Sequence, residues 1–272
     1  MALITMEDIE GLSSVFKGWL GNGLARVALR VTGIDQLAER YGRHEDLSGP
    51  EFVSAFLSDL GLSYEVQGME HLQSVADGPF ITVSNHPYGG LDGLILVDLM
   101  GHFREDYKVM ANKLLSMVKT IDCNFIGVVP KTNDSKGVAK ESVNGLRKAI
   151  GHIKDGHPLG LFPAGAVSNV SLRDRCVEDR EWQQSAIRFI RKMKVPVVPV
   201  RFFDRNSDWF YFLGLVNWKL RTLRLPREIL NKKGKRVGVG IGEVISIGQQ
   251  TSVPEADFAA MLRSAVYGIN RK

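Results

Sequence analysis

The chain has 272 residues, of which 44% are apolar and 24% charged, with a formal net charge of +5 and two cysteines. That length suits one large or two small domains with a buried core, and the composition excludes intrinsic disorder, a collagen-like fibre and a disulfide scaffold. Cys123 and Cys176 lack metal-ligand spacing and the six histidines form no HExxH or HxxxH pair, so a reduced cytoplasmic setting and no metal site are expected.

At the N-terminus, Glu7, Asp8 and Glu10 stand where a signal peptide carries basic residues. Leu12, Val15, Phe16, Trp19, Leu20, Leu24, Val27, Ala28 and Val31 recur at three- and four-residue steps, which predicts an amphipathic helix over 12–31. Two placements are open for it: packed on the core, or lying in a membrane interface, which Trp19 and the nearby basic residues suit. Two short helices are expected next, at Asp35–Tyr41 and Pro50–Leu60, the second with Ser48 and Pro50 at its start and Gly61 past its end. The longest charge-free run, Gly156–Leu172, holds two prolines and three glycines, so no segment reads as a spanning helix.

From Phe80 onward the pattern changes. Short β-like runs (Phe80–Val83, Phe125–Val129, Leu159–Phe162, Val195–Val200, Val237–Ile241) alternate with helical stretches (Gly90–Phe103, Lys136–Lys154, Asp179–Lys194, Glu255–Tyr267). This alternation predicts an α/β fold: a single mixed-sheet domain with helices on its faces. The organisation expected is an N-terminal helical extension at a membrane interface (1–65) and one catalytic domain (66–272). Pro196 and Pro199 in the run Val195–Val200 suggest an edge strand or a bulge.

The stretch Ser84-Asn85-His86-Pro87-Tyr88-Gly89-Gly90-Leu91-Asp92-Gly93 follows a buried-looking strand, at the carboxyl end where open α/β sheets place their sites. Gly89 and Gly90 permit a tight turn that would bring Asp92 back onto His86. Such a pair is the base and its orienter: Asp fixes the imidazole tautomer and His takes a proton. No GxSxG elbow is present, so the nucleophile would be a substrate hydroxyl. The plainer alternative is a turn histidine that caps backbone groups.

Four stretches follow one another in order: His86 to Asp92, Asn124-Phe125-Ile126-Gly127-Val128, Phe162-Pro163-Ala164-Gly165 and Val195 to Pro199. This order resembles the glycerolipid acyltransferases typified by 1-acylglycerol-3-phosphate acyltransferases, over roughly Phe80 to Val200. The resemblance implies a mixed α/β domain on a membrane surface that moves a fatty acyl group from acyl carrier protein or coenzyme A to a lipid hydroxyl. It implies His86 and Asp92 as the catalytic pair, with Asn85, Gly89, Gly90, Phe125, Lys131, Phe162, Pro163, Gly165 and Pro199 on the substrate side. Backbone N–H groups near Gly89, Gly90 or Gly165 would hold the oxyanion. No metal or redox cofactor is implied.

Three departures redirect the choice of acceptor. Five residues separate His86 from Asp92 where the family usually has four, Val128 or Val129 stands where an Arg contacts phosphate, and Ala164 replaces a Glu. A valine makes no bidentate contact with phosphate. With the run Leu220–Glu228, these features are similar to a branch holding proteins labelled hemolysins and the O-acyltransferases of bacterial aminolipids. The acceptor expected is therefore a lyso-ornithine or lyso-glycine lipid. The alternatives are lysophosphatidic acid, and a catalytically silent membrane-binding protein.

Between Arg201 and Arg236, ten Lys/Arg stand against three Asp/Glu. Trp209, Phe210, Tyr211, Phe212 and Trp218 precede Lys219, Arg221, Arg224 and Arg227, a composition suited to an anionic membrane surface or to acidic acyl carrier protein. A core helix followed by a solvated basic one is the other reading. Trp19, Trp209, Trp218, Arg221, Arg224 and Arg227 are the contact residues expected. The aromatics are bunched rather than interleaved with the cations, so nucleic acid is not expected. The location expected is peripheral, on the cytoplasmic face of the inner membrane.

Overall fold

The computed structural model describes residues 27–112, 118–128, 136–171 and 176–272. Residues 27–32 are helical. The rest of the expected amphipathic segment, with Trp19, lies outside the described residues. Helices α1 (Ile34–Gly42) and α2 (Gly49–Asp59) follow. Ser48 caps α2 in an extended conformation, and Pro50 enters its first turn, where a missing N–H costs nothing.

The chain then forms β1 (Ser63–Gln67), a 3-10 turn (Met69–Val75), β2 (Ile81–Ser84), α3 (Gly90–Phe103), β3 (Lys108–Asn112) and β4 (Phe125–Val128). Next come α4 (Lys136–Lys154), β5 (Leu159–Leu161), the hairpin β6 (Asn169–Ser171) and β7 (Cys176–Glu178), α5 (Gln184–Met193) and β8 (Val197–Phe202). Helices α6 (Asp208–Val216) and α7 (Trp218–Leu230), strand β9 (Arg236–Ile241), α8 (Ile247–Ser252) and α9 (Glu255–Tyr267) complete it.

Seven strands make one mixed sheet in the order β1-β9-β8-β2-β5-β3-β4. Within this sheet, among the described residues, only β8 and β9 pair antiparallel. Strands β2, β3, β4, β5 and β8 run the same way, so their carboxyl ends share one edge of the sheet. Side chains alternate between its faces, as the pleat requires. Val198, Val200 and Phe202 of β8 pack with α1, α2 and α3, whereas Val197 packs with α4, α5 and α9. Helix α3 is buried from Leu91 to Gly101. Its one interior charge away from the turn, Asp98, accepts from Ser54 Oγ (2.5 Å) and Tyr64 Oη (2.7 Å). A Cβ on Gly101 would sit 2.4 Å from Pro50 Cγ, so glycine is what lets α2 cross α3 so closely.

Three expectations need correction. The boundary at 65/66 falls inside β1, which pairs with β9, and α1 and α2 share the core of α3; the described part of 1–65 is built into the domain. The proline-bearing strand β8 is interior to the sheet, not an edge. Its ladder to β9 begins at Val200; before it Val197 pairs with Ile245 and Pro199 O accepts from Gly242 N (2.9 Å), with two residues of β8 facing three of the other segment, so the absent N–H of Pro199 falls in a local irregularity. Helix α5 starts five residues later than expected, leaving Asp179 and Trp182 in a loop. Among the described residues no helix is long and apolar enough to cross a membrane.

Candidate active site

Strand β2 delivers Asn85 and His86 to the carboxyl edge of the sheet. Asn85 is buried, and its amide clasps the end of β8: Nδ2 donates to Phe202 O (2.9 Å) and Phe202 N donates to Oδ1 (2.8 Å). Both amide ends are thereby used, so Asn85 fixes the strand end rather than facing substrate. The chain turns through Pro87, Tyr88 and Gly89, where φ is +84°, and enters α3 at Gly90. A Cβ at Gly89 would also approach Leu225 Cδ2 to 2.9 Å, so conformation and space both select glycine.

Asp92, on the first turn of α3, is fully buried. Its Oδ2 accepts from Tyr88 N (2.9 Å) and Gly89 N (3.0 Å) and lies 2.8 Å from His86 Nδ1. By accepting from the N–H of Gly89 at the helix start, this carboxylate also caps the helix, and Asp92 N donates back to Gly89 O (3.1 Å). Burial pushes the Asp92 carboxyl up; the His86 contact and the two backbone N–H groups oppose it. The His86 side chain is 18% exposed, with Nδ1 turned to Asp92 and Nε2 without a partner among the described residues. Its ring stacks on Phe162 with centroids 4.2 Å apart.

The backbone of His86 is fixed from a second side that the sequence did not reveal. Its N–H donates to Asp179 Oδ1 (3.0 Å), and its carbonyl accepts from Ser168 N (2.9 Å). Asp179, buried, also accepts from Ser168 Oγ (2.6 Å) and Trp182 Nε1 (3.1 Å). Behind the turn, the Lys232 ammonium lies 4.9 Å from the Tyr88 ring centroid and donates to Arg205 O (3.0 Å); burial pushes its pKa down.

The other expected site residues divide. Phe162 and Pro163 lie on the loop beside His86. Gly165, at φ +64°, is exposed, and its N–H is taken by Phe162 O (2.9 Å). The N–H of Gly89 is likewise taken by Asp92, leaving Gly90 at the start of α3 as the remaining donor of those three. Phe125 is core, its ring 3.5 Å from where a Cβ on Gly93 would be, and Pro199 is buried in the sheet; neither faces substrate. Lys131 lies outside the described residues. Trp209 and Trp218 are 53% and 61% exposed. Arg224 pairs with the buried Glu228 (3.2 Å), and Arg227 packs beside Gly33. Arg221, expected at the surface with them, is buried instead.

A family model described as "Acyltransferase" matches residues 22–271. The chain belongs to the acyltransferase family. It is 28% identical to a lyso-glycine lipid O-acyltransferase of Bacteroides thetaiotaomicron, over 79% of this chain and 78% of that protein. It is also 28% identical to a lyso-glycine lipid O-acyltransferase of Phocaeicola vulgatus, over 80% of this chain and 77% of that one. In fold it is similar to the crystal structure of the 1-acyl-sn-glycerophosphate (LPA) acyltransferase of Thermotoga maritima. The TM-score is 0.51 at 16% identity, covering 80% of this chain and 74% of the other. The acyltransferase is thus an α/β enzyme whose His86, set against the buried Asp92, stands at the carboxyl edge of a mixed sheet.

Proposed function

We propose that this acyltransferase moves a fatty acyl group from a thioester to the hydroxyl of a lyso-aminolipid, with lyso-glycine lipid as the leading acceptor. The observation that carries the reading is His86 Nδ1 held 2.8 Å from the buried Asp92 while Nε2 has no partner among the described residues. The names of the two relatives support the acceptor class. The acceptor oxygen attacks the thioester carbonyl carbon as its proton passes to His86 Nε2. Asp92 keeps the proton-bearing Nδ1 turned toward itself and stabilises the imidazolium. The tetrahedral intermediate then breaks its C–S bond, and the departing sulfur takes the proton back from His86. An ester and a free thiol result. The donor is acyl carrier protein or coenzyme A, and no metal takes part.

The enzyme works peripherally at the cytoplasmic face of the inner membrane in this reading. Trp209, Phe212, Leu215 and Val216 on α6 and Trp218, Leu220 and Leu223 on α7 form an exposed apolar face, with Trp209 stacked on Phe212 at 5.2 Å. Lys219 and Arg227 are nearby cations for anionic headgroups or for an acidic carrier protein. Rings at headgroup level beside cations are the composition of an interface-seated element.

Purified protein in vesicles, given labelled acyl-acyl carrier protein or acyl-coenzyme A with lyso-glycine lipid and lysophosphatidic acid in equal amounts, tests the proposal. Label is expected in the glycine lipid, with His86→Ala slower by about 10³–10⁴-fold. Label only in phosphatidic acid would sink the acceptor assignment, and an undiminished His86→Ala enzyme would sink the role of His86.

A further inference from the structure

Helix α7 touches both flanks of the His86 turn. Arg221 and Leu225 stand four residues and about 6 Å apart on one face of it. Leu225 lies against Gly89. Arg221 Nη1 donates to Asn169 Oδ1, and the preceding residue, Ser168, donates its N–H to the carbonyl of His86. The Arg221 guanidinium carbon sits 5.4 Å from the Phe210 ring centroid, and Gly214 makes room for its stem: a Cβ there would be 2.7 Å from Arg221 Cδ.

Arg221 is 9% exposed, yet no carboxylate among the described residues pairs with it. Burial pushes its pKa down, and the neighbouring Arg180 adds to that. A guanidinium taken out of water is costly unless an anion meets it. On the same helix Arg224 pairs with Glu228, whereas Arg221, the arginine that reaches Asn169 beside the catalytic turn, meets no carboxylate among the described residues.

We propose that Arg221 receives the carboxylate of the acceptor's amino-acid headgroup, with Arg180 adding positive field. This rests on the aminolipid reading above. In an N-(3-hydroxyacyl) amino acid, one trans amide, about 3.8 Å between its flanking carbons, separates the arm with the reacting hydroxyl from the arm with the carboxylate. The two groups are thus on the order of 8 Å apart, somewhat more than the roughly 6 Å between Leu225, at the His86 turn, and Arg221, a difference within the reach of the long arginine side chain. A planar guanidinium is suited to hold a carboxylate through two N–H groups.

The test compares lyso-glycine lipid with its methyl ester as acceptors for the wild-type enzyme, Arg221→Gln and Arg221→Lys. The wild type is expected to favour the acid by about 10- to 100-fold in kcat/KM, the worth of a charge-assisted hydrogen bond. Arg221→Gln should bring that preference toward one, and Arg221→Lys should keep part of it. Equal rates of the wild type on acid and ester would overturn the assignment whether or not either variant folds. So would an equal slowing of both acceptors by Arg221→Gln, which would place the arginine on a phosphate of the donor or in packing alone. A wild type that acylates lysophosphatidic acid and neither aminolipid would overturn the function reading, and this assignment with it.

Discussion

The His86–Asp92 turn and the α6–α7 hairpin lie side by side and obey opposite rules. In the turn, a charge is taken fully out of water and hemmed in by backbone donors, a ring and a second buried carboxylate. In the hairpin, large apolar rings are left in solvent, while the polar clip that holds it is internal. Glu228 of α7 accepts from Ser207 N (2.9 Å) and Ser207 Oγ (2.8 Å) at the start of α6. Neither arrangement serves stability. The first exchanges it for a fixed imidazole, and the second for a surface that suits lipid.

This contrast fails if Asp92 turns out to stabilise the fold. Asp92→Asn is expected to lower kcat by about 10³–10⁴-fold. Because burial raises the Asp92 carboxyl, the folded protein holds that proton more tightly than the unfolded chain. Its ionisation therefore removes stability as pH rises above the ordinary carboxylate range. Asp92→Asn should melt at or above the wild-type temperature at pH 7 and lose that pH dependence in thermal scans. A melting point several degrees lower would show that the pairing with His86 outweighs desolvation.

Asp179 sharpens the comparison from the other side. Asp179→Ala leaves the His86 N–H, the Ser168 hydroxyl and the Trp182 indole N–H without their acceptor, and should cost about 2–5 kcal/mol in denaturant unfolding. The smallest expected change in stability is in the hairpin. Trp209→Ser with Trp218→Ser should alter unfolding free energy by about 0.5 kcal/mol or less, yet reduce sedimentation with anionic vesicles by roughly tenfold or more. A large loss of stability with unchanged vesicle binding would make the hairpin a structural element.

What was legible in the chain follows the same division. His86, Asp92 and the turn between them could be read because their meaning is local: a strand, a glycine turn and a carboxylate on the first turn of a helix. Spans such as Gly90–Phe103 and Glu255–Tyr267 match because their burial or periodicity is continuous. Asp179 was hidden because the partners that tie it to the site, Ser168 and His86, are 11 and 93 residues away and no spacing announces them. Arg221 was misplaced for a related reason. It sits in a basic block with Arg224 and Arg227, and composition cannot tell which side of a helix meets Phe210 and Asn169. Asn85 and Pro199 matched motif positions, but their work is done by backbone contacts to neighbouring strands.

Strand β1 has one neighbour in the sheet, and that neighbour is β9. About 170 residues separate the two, so during synthesis Ser63–Gln67 leaves the ribosome long before anything can pair with it. At ordinary elongation rates the wait is roughly 10–35 s. Through that interval the segment is an open edge, with unpaired N–H and carbonyl groups that invite association with other chains. The last strand to be made is therefore the one that covers the inner side of the earliest exposed strand, and a chain cut short before Ile241 would leave both sides of Ser63–Gln67 open.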